Sequence, residues 1–288
     1  MKKLTNDKAS IYYTIDFEDF SFDLCRRIGT SNTPKLRTES LYKSYFNITE
    51  LLPDKNQPGS KITFFCTGVM ADRYPHLIKQ IAQDGHEIAC HGNFHEDIFR
   101  MSPNEIYASL KLAKQKLSEI SKTEIRGFRA PSFSIAKNDF ERLDVISKLF
   151  EYDSSLHFSS DTEFKEWMAL CPINLREFPV PEQKITPINF KLKTGGSYLK
   201  LFPVCLVKNA IHQSLQNDIT PIIYLHPYDL FYGYKLLLSW SELKGAKSRL
   251  YWYFRQTQWL GVFNWIQKQK LKNIFREFGS LGRLDGRL

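Results

Sequence analysis

Two histidines, His91 and His95, lie four residues apart in the stretch GHEIACHGNFH, directly after the apolar run Ile88, Ala89 and Cys90. Imidazoles released together at the end of a strand can converge on one metal ion. The same pair also fits a polar turn in which one histidine caps a helix, since short motifs are weak by themselves. What separates the two readings is the presence of carboxylates and other reactive groups at further strand ends. The sequence supplies them: Asp16, Glu18 and Asp19 follow one strand-like run, Arg129 follows another, and His226 follows a third. Hydrolysis of an amide needs an activated water, a stabilised oxyanion and a proton for the leaving amine. One carboxylate with two neutral imidazoles leaves open positions on Zn²⁺ and lowers the pKa of bound water to about 7.

These groups need a frame that gathers strand ends. IYYTID (11–16), ITFFCTG (62–68), HEIAC (86–90), IRGFRAP (125–131), LREFPV (175–180) and PIIYLHPYDL (221–230) read as strands. Helical patterns run through 71–85, 139–150 and 204–216. A further helix opens on Ser102-Pro103-Asn104-Glu105 and continues through Ile106, Leu110, Ala113 and Leu117. Residues 184–200, with Gly195-Gly196, read as a hairpin or loop. The alternation predicts parallel strands with helical crossovers, either an α/β barrel or a doubly wound sheet, and reactive groups at strand C-terminal ends are the pattern of a barrel.

The chain has 288 residues, 42% of them hydrophobic, enough for one large domain. Its net charge of +9 suits nucleic acid, an anionic membrane or a phosphorylated substrate, but no nucleic-acid-binding motif is present, so nucleic acid is not expected. The 5 cysteines are scattered without a CxxC pair and read as small core residues of a reducing compartment. MKKLTNDKAS is followed by no signal-peptide core, and no apolar run approaches the ~20 residues of a membrane span, so a cytoplasmic protein is expected. His86 reads as a buried polar contact, and His76, His157 and His212 as surface residues. Residues 29–60, with Pro34, Pro53 and Pro58, form a polar insertion that reads as a lid or a partner surface. In the tail, Trp259, Phe263, Ile266, Leu271, Ile274, Phe275 and Phe278 share a helical face, with Lys268, Lys270, Lys272 and Arg276 interleaved. That pattern fits a helix packed on the domain or a basic helix touching an anionic membrane.

The motifs together resemble the polysaccharide deacetylases with a NodB homology domain, a carbohydrate esterase family 4-like group. Asp16-Phe17-Glu18-Asp19, Gly85 to His95, Arg129 to Ser134, Tyr152 to Ser155 and Leu225-His226-Pro227 carry the resemblance, which runs from about Ile11 to Leu230. It is nearest to a branch whose first motif is D-x-E-D. The resemblance implies an α/β fold, a distorted (β/α) barrel of about seven strands, with residues 1–240 as catalytic domain and 241–288 as a helical extension packed on it. It implies a hydrolase that removes an N-acetyl or O-acetyl group from a sugar with a divalent metal, Zn²⁺ first and Co²⁺, Ni²⁺ or Mn²⁺ as alternatives. By that resemblance Asp16 is the general base, Arg129 the residue that orients it, and His226 the general acid. His91 and His95 are metal ligands. The usual carboxylate slot holds Phe17, so Glu18 becomes the first candidate for the third ligand and Asp19 its competitor, because residues two apart in a strand face the same side. Pro131, Phe133 and Tyr228 are candidates for the sugar site. Asp153 is a candidate partner of the last histidine or else a local cap. The expected substrate is a nucleotide- or lipid-linked saccharide precursor, met in the cytoplasm or at the inner membrane face. The alternatives are a cyclic-amide or formyl hydrolase and a catalytically silent sugar-binding protein.

Overall fold

Alternation along one strand sets the architecture. In β1 (Ser10–Phe17) the odd residues Ile11, Tyr13, Ile15 and Phe17 enter the main hydrophobic core shared with the helices. The even residue Tyr12 joins a separate cluster with Phe65, Ala89, Tyr152, Ile222 and Leu284, which fills the inside of the curled sheet. Thr14 and Asp16 therefore face inward as well. A computed structural model describes residues 8–30, 33–54, 56–185, 190–231, 234–260 and 264–288, the side chains of 258–260 and 264–265 excepted.

The remaining strands are β2 (Thr63–Cys66), β3 (Glu87–Cys90), β4 (Gly127–Phe128), β5 (Tyr152–Asp153), β6 (His157–Phe158), β7 (Arg176–Glu177), β8 (Val180–Ile185), β9 (Phe190–Lys193), β10 (Ile222–Leu225) and β11 (Gly279–Ser280). Seven of them form one parallel path in the order β10-β1-β2-β3-β4-β5-β7, and β11 adds to β1. The path is a curled, unclosed barrel, the seven-stranded α/β frame expected from the sequence. Near its open seam lies a small sheet, β6-β8-β9, which leans on β10 where Thr194 Oγ1 donates to the Ile222 carbonyl at 2.7 Å.

The helices are α1 (Phe20–Arg27), α2 (Thr38–Thr49), α3 (Gly68–Arg73), α4 (Pro75–Gln83), α5 (Pro103–Ser121), α6 (Phe140–Ser147), α7 (Asp161–Leu170), α8 (Gly196–Leu201), α9 (Val204–Gln216), α10 (Pro227–Leu230), α11 (Arg249–Leu260) and α12 (Asn264–Glu277). α5 opens on the Ser102/Glu105 capping box that its sequence announces. The helix expected through 71–85 is instead broken at Tyr74, because Pro75 has no N–H to continue the ladder. The single strand expected at 175–180 is split: Arg176–Glu177 belongs to the large sheet and Val180 begins the small one. The 184–200 segment divides into the β8–β9 hairpin and α8, with 186–189 outside the described residues.

One expectation for the polar segments needs correction. Within 29–60, α2 is no lid. Leu41, Tyr45 and Ile48 are core residues, and Ser44 Oγ donates to the Pro227 carbonyl at 2.8 Å, so α2 buttresses the turn after β10. In the tail, Leu271, Ile274 and Phe278 are buried in the main core, and Phe275 stacks on Tyr13 at 3.9 Å. Of the two readings of this face, these residues match the helix packed on the domain, and Phe263 and the Trp259 side chain lie outside the described residues. Past α12, the Leu284 amide donates to Thr63 Oγ1 at 2.9 Å and closes the bottom of the barrel. Among the described residues no helix is long and apolar enough to cross a membrane.

Candidate metal-dependent active site

The parallel register brings the C-terminal ends of β1, β3, β4 and β10 to one rim. A cleft of about 190 Å³ opens there, lined among others by Asp16, Glu18, His91, His95, Phe133 and His226. Three ligand atoms from Glu18, His91 and His95 lie within 4.8 Å of one another, and all three residues are buried. Asp19 turns away. It caps α1 through Phe22 N at 3.2 Å and holds Arg73 at 3.1 Å and Tyr74 Oη at 2.7 Å. Phe17 packs edge-on against Phe64 on the outer side of the sheet.

The donor set fits a divalent cation. Glu18 Oε2 approaches His95 Nε2 to 2.6 Å without hydrogen-bond geometry, and this shielded oxygen has no hydrogen-bond partner. An unsatisfied buried carboxylate oxygen is costly unless something else meets it. His91 Nδ1 is 2.9 Å from the Arg129 carbonyl, which fixes the proton there and leaves Nε2 for a metal. Burial drives the His91 imidazole down to about 4, so it is neutral at pH 7. His95 is opposite: burial lowers it, but Glu18 and Asp23 lift it to about 10. A bound cation would displace that proton.

Asp16 is set between a cation and an acid. Its Oδ1 accepts from Arg129 Nη1 at 2.8 Å, and its Oδ2 lies 4.0 Å from His226 Nε2. Burial pushes the Asp16 carboxyl up, but the Arg129 guanidinium, with His91 and His226, holds it below its ordinary value. Arg129 is fully buried and cannot drift: it also donates to Thr14 Oγ1 at 2.8 Å, Ser154 O at 2.9 Å and Ser154 Oγ at 2.8 Å. His226 is oriented by Asp229, whose Oδ2 takes the His226 amide at 2.9 Å and faces Nδ1 at 3.2 Å. Burial lowers the His226 ring's basicity, but Asp229 more than offsets this and raises it. Tyr228 stacks on the ring at 4.7 Å.

Backbone conformation at the rim is unusual. His95, Ser132 and Phe133 all have positive φ, at 59°, 53° and 54°. Such residues persist only where surroundings hold them, and functional sites collect them. Gly92, at φ 80°, makes the turn between the histidines, with Pro131 closing over it.

Three sequence expectations fail here. Asp153 does not reach His226. It is fully buried on β5, accepts from Ser155 Oγ at 2.6 Å and pairs with Glu177, its register partner on β7. Pro131 is buried behind the cleft, whereas Phe133 and Tyr228 line it. His157, expected on the surface, is half-buried with its ring 4.6 Å from Phe133. His86 accepts from Ile62 N at 3.1 Å, a buried polar contact as read.

Several positioning residues escaped the sequence reading. Asp23 stands 3.4 Å from His95 Nδ1, Arg27 Nη2 lies 3.0 Å from the same atom, and Arg26 donates to the His95 carbonyl at 2.9 Å. The signal was present as Asp23, Arg26 and Arg27 at helical spacing just beyond the acidic motif. Glu96 accepts from the Asn93 and Phe94 amides at 3.1 and 2.9 Å and so fixes the turn that delivers His95.

Comparison with known proteins agrees with this frame. Residues 43–144 match the family model described as polysaccharide deacetylase, and residues 157–267 match a domain of unknown function, DUF3473. Residues 43–144 are thus similar to polysaccharide deacetylases over about a third of the chain. The second match runs across residue 240, where the sequence reading set a boundary. The peptidoglycan deacetylase-like protein FGM2 of Gibberella zeae is 32% identical over 151 residues, 52% of this chain and 44% of that protein. A peptidoglycan-N-acetylglucosamine deacetylase of Bacillus cereus is 25% identical over 92 residues, 32% of this chain and 34% of that protein. This chain thus spans less than half the length of either relative. Among solved structures, peptidoglycan deacetylase PdaC of Bacillus subtilis aligns over 97% of this chain and 90% of that one, at 11% identity and TM-score 0.47. BA3943 of Bacillus anthracis, a CE4 family pseudoenzyme, aligns over 97% of this chain and 66% of that one, at 12% identity and TM-score 0.47. At those scores neither likeness bears on the chemistry of this chain.

Proposed function

We propose that this chain is a metal-dependent deacetylase that hydrolyses the acetyl group of an N-acetylated, or O-acetylated, saccharide. Its proposed substrate is a nucleotide- or lipid-linked precursor of a surface glycan, met in the cytoplasm or at the inner membrane face. One observation carries the reading: a base, an acid and three ligand atoms from three separate segments meet in one cleft. Glu18, His91 and His95 would hold a divalent cation, Zn²⁺ first, which supplies Lewis acidity to polarise the acetyl carbonyl and acidify a water. Asp16, kept ionised by Arg129, takes the proton from the attacking water. Its Oδ2 lies 4.0 Å from His226 Nε2, so base and acid stand side by side in the cleft. His226, held by Asp229 and Tyr228, gives the departing amine its proton. Phe133 offers an aromatic face at the rim for a sugar ring.

Although Phe17 fills the usual carboxylate slot, Glu18 beside His91 and His95 supports a catalytic protein over a silent sugar-binding one. The test is acetate release from a panel of acetylated nucleotide- and lipid-linked sugars, with Zn²⁺, Co²⁺, Ni²⁺ or Mn²⁺ supplied. Release that disappears in Asp16→Asn is expected. No release by the metal-loaded protein across the panel sinks the reading.

A further inference from the structure

The tail hides one apolar face and shows another. Tyr234, Leu250, Tyr251 and Phe254 are 71%, 62%, 56% and 59% exposed, with Trp240 and Tyr253 beside them. Trp240 meets Tyr253 at 5.6 Å, and Tyr253 and Tyr234 line, with Leu36, a groove of about 500 Å³. On α11, Arg249 and Arg255 flank the exposed Leu250–Phe254 face, given a helical turn of about 3.6 residues.

Charge is one-sided across the same surface. Between Tyr234 and Thr257 stand Lys235, Lys244, Lys247, Arg249 and Arg255, and the one acid there is Glu242. Glu242 is buried and committed to Arg37 at 2.8 Å. Lys235 pairs with Glu39, whereas Lys244 and Lys247 form no ion pair among the described residues. A second copy of this surface would set cations against cations. Exposed aromatic rings with unbalanced lysines match instead the headgroup layer of an anionic bilayer, where rings settle at the interface and each cation adds attraction.

We infer that the exposed face of α11, with Trp240, Lys244 and Lys247, docks on an anionic lipid surface. The position gives this a purpose that rests on the proposed deacetylase reading. Leu24 and Cys25 of α1 pack against Leu238 and Leu243 beneath the patch, with Trp252 alongside. The same helix carries Asp23 and Arg27, which line the cleft. One eight-residue helix separates the docking face from the active site. A docked chain holds its cleft beside the headgroups, where a lipid-linked acetylated saccharide presents its sugar.

The experiment is sedimentation of the full chain with vesicles of phosphatidylcholine alone or mixed with phosphatidylglycerol. Binding to the mixed vesicles, weakened by salt and absent with phosphatidylcholine, is expected. Lys244→Glu and Lys247→Glu should each lower partitioning about fivefold or more, and Tyr251→Ser with Phe254→Ser more than about tenfold. Acetate release from a water-soluble substrate should not change in these variants, which separates this inference from the catalytic one. Failure of the unmodified chain to prefer the anionic vesicles overturns the inference whatever the variants do. Dimerisation in ultracentrifugation that Tyr251→Ser/Phe254→Ser abolishes overturns it too, by making a second copy the occupant.

Discussion

Two pairs of buried carboxyls in this molecule have nearly equal exposure and opposite fates. Asp16 and Glu18 are 2% and 6% exposed, and Asp153 and Glu177 are 0% and 6%. Burial pushes all four toward the protonated form. In the cleft Arg129, His95 and His226 outweigh it, and both acids are held ionised. On β5 and β7 burial wins. Asp153 is raised to about 6 although its hydrogen bonds to Ser155 and Glu177 oppose the rise, and Glu177 is raised well above its ordinary value by burial with Asp153 adding to it. Asp153 Oδ2 and Glu177 Oε2 are both buried without a hydrogen-bond partner. Depth does not make a catalytic carboxylate; the cations around it do.

That contrast can be broken in four ways. Asp16→Asn should lower kcat by about a hundred- to ten-thousand-fold, the usual weight of one general base, and steady-state acetate release measures it. Metal content by elemental analysis should stay unchanged, because Asp16 is no ligand. Next in size, Asp23→Ala should weaken zinc binding by about ten- to a hundredfold through loss of the partner of His95, read by competition with a chelating dye.

The third tests the other pair. The folded values of Asp153 and Glu177 lie above the unfolded ones, 3.8 and 4.5. Their contribution to stability is therefore complete below about pH 4 and is lost as pH rises through the folded values. Glu177→Gln keeps a hydrogen-bonding group without that loss. The melting temperature of the variant relative to the native chain should climb between pH 4 and pH 7, by about 2–4 °C for each kcal/mol. A constant difference across that range would mean that the pair is not protonated. Smallest, Phe133→Ala should raise KM by about twofold to tenfold through loss of an aromatic face, with kcat nearly preserved.

Legibility differed between these regions for physical reasons. The cleft is built from strand ends, where apolar runs stop at reactive residues, and a period of two places Asp16 and Glu18 on one side. Phe17 then had to face the helices. Short-range signals thus sufficed for the barrel, the histidines, Arg129 and His226. Asp153 was misread because its partner, Glu177, is distant in sequence and adjacent only through strand register. The Asp23–Arg27 support was missed because α1 looked like an ordinary charged helix. The tail stayed open between two readings for a different reason: a hydrophobic stripe shows that something is covered, not what covers it. Leu271, Ile274 and Phe278 are covered by the barrel itself.

The floor of the barrel sets an order in time. β1 carries the catalytic base yet pairs with β10 and β11, and the Leu284 amide reaches back to Thr63. A ribosome making this chain releases Asp16 long before the strands and the plug that seat it. Until Leu225, Ser280 and Leu284 emerge, β1 has exposed edges and an unfilled interior, the condition in which nascent barrels are prone to mispair. The cleft that holds Asp16 can therefore form only once residues 279–284 stand beside β1 and Thr63.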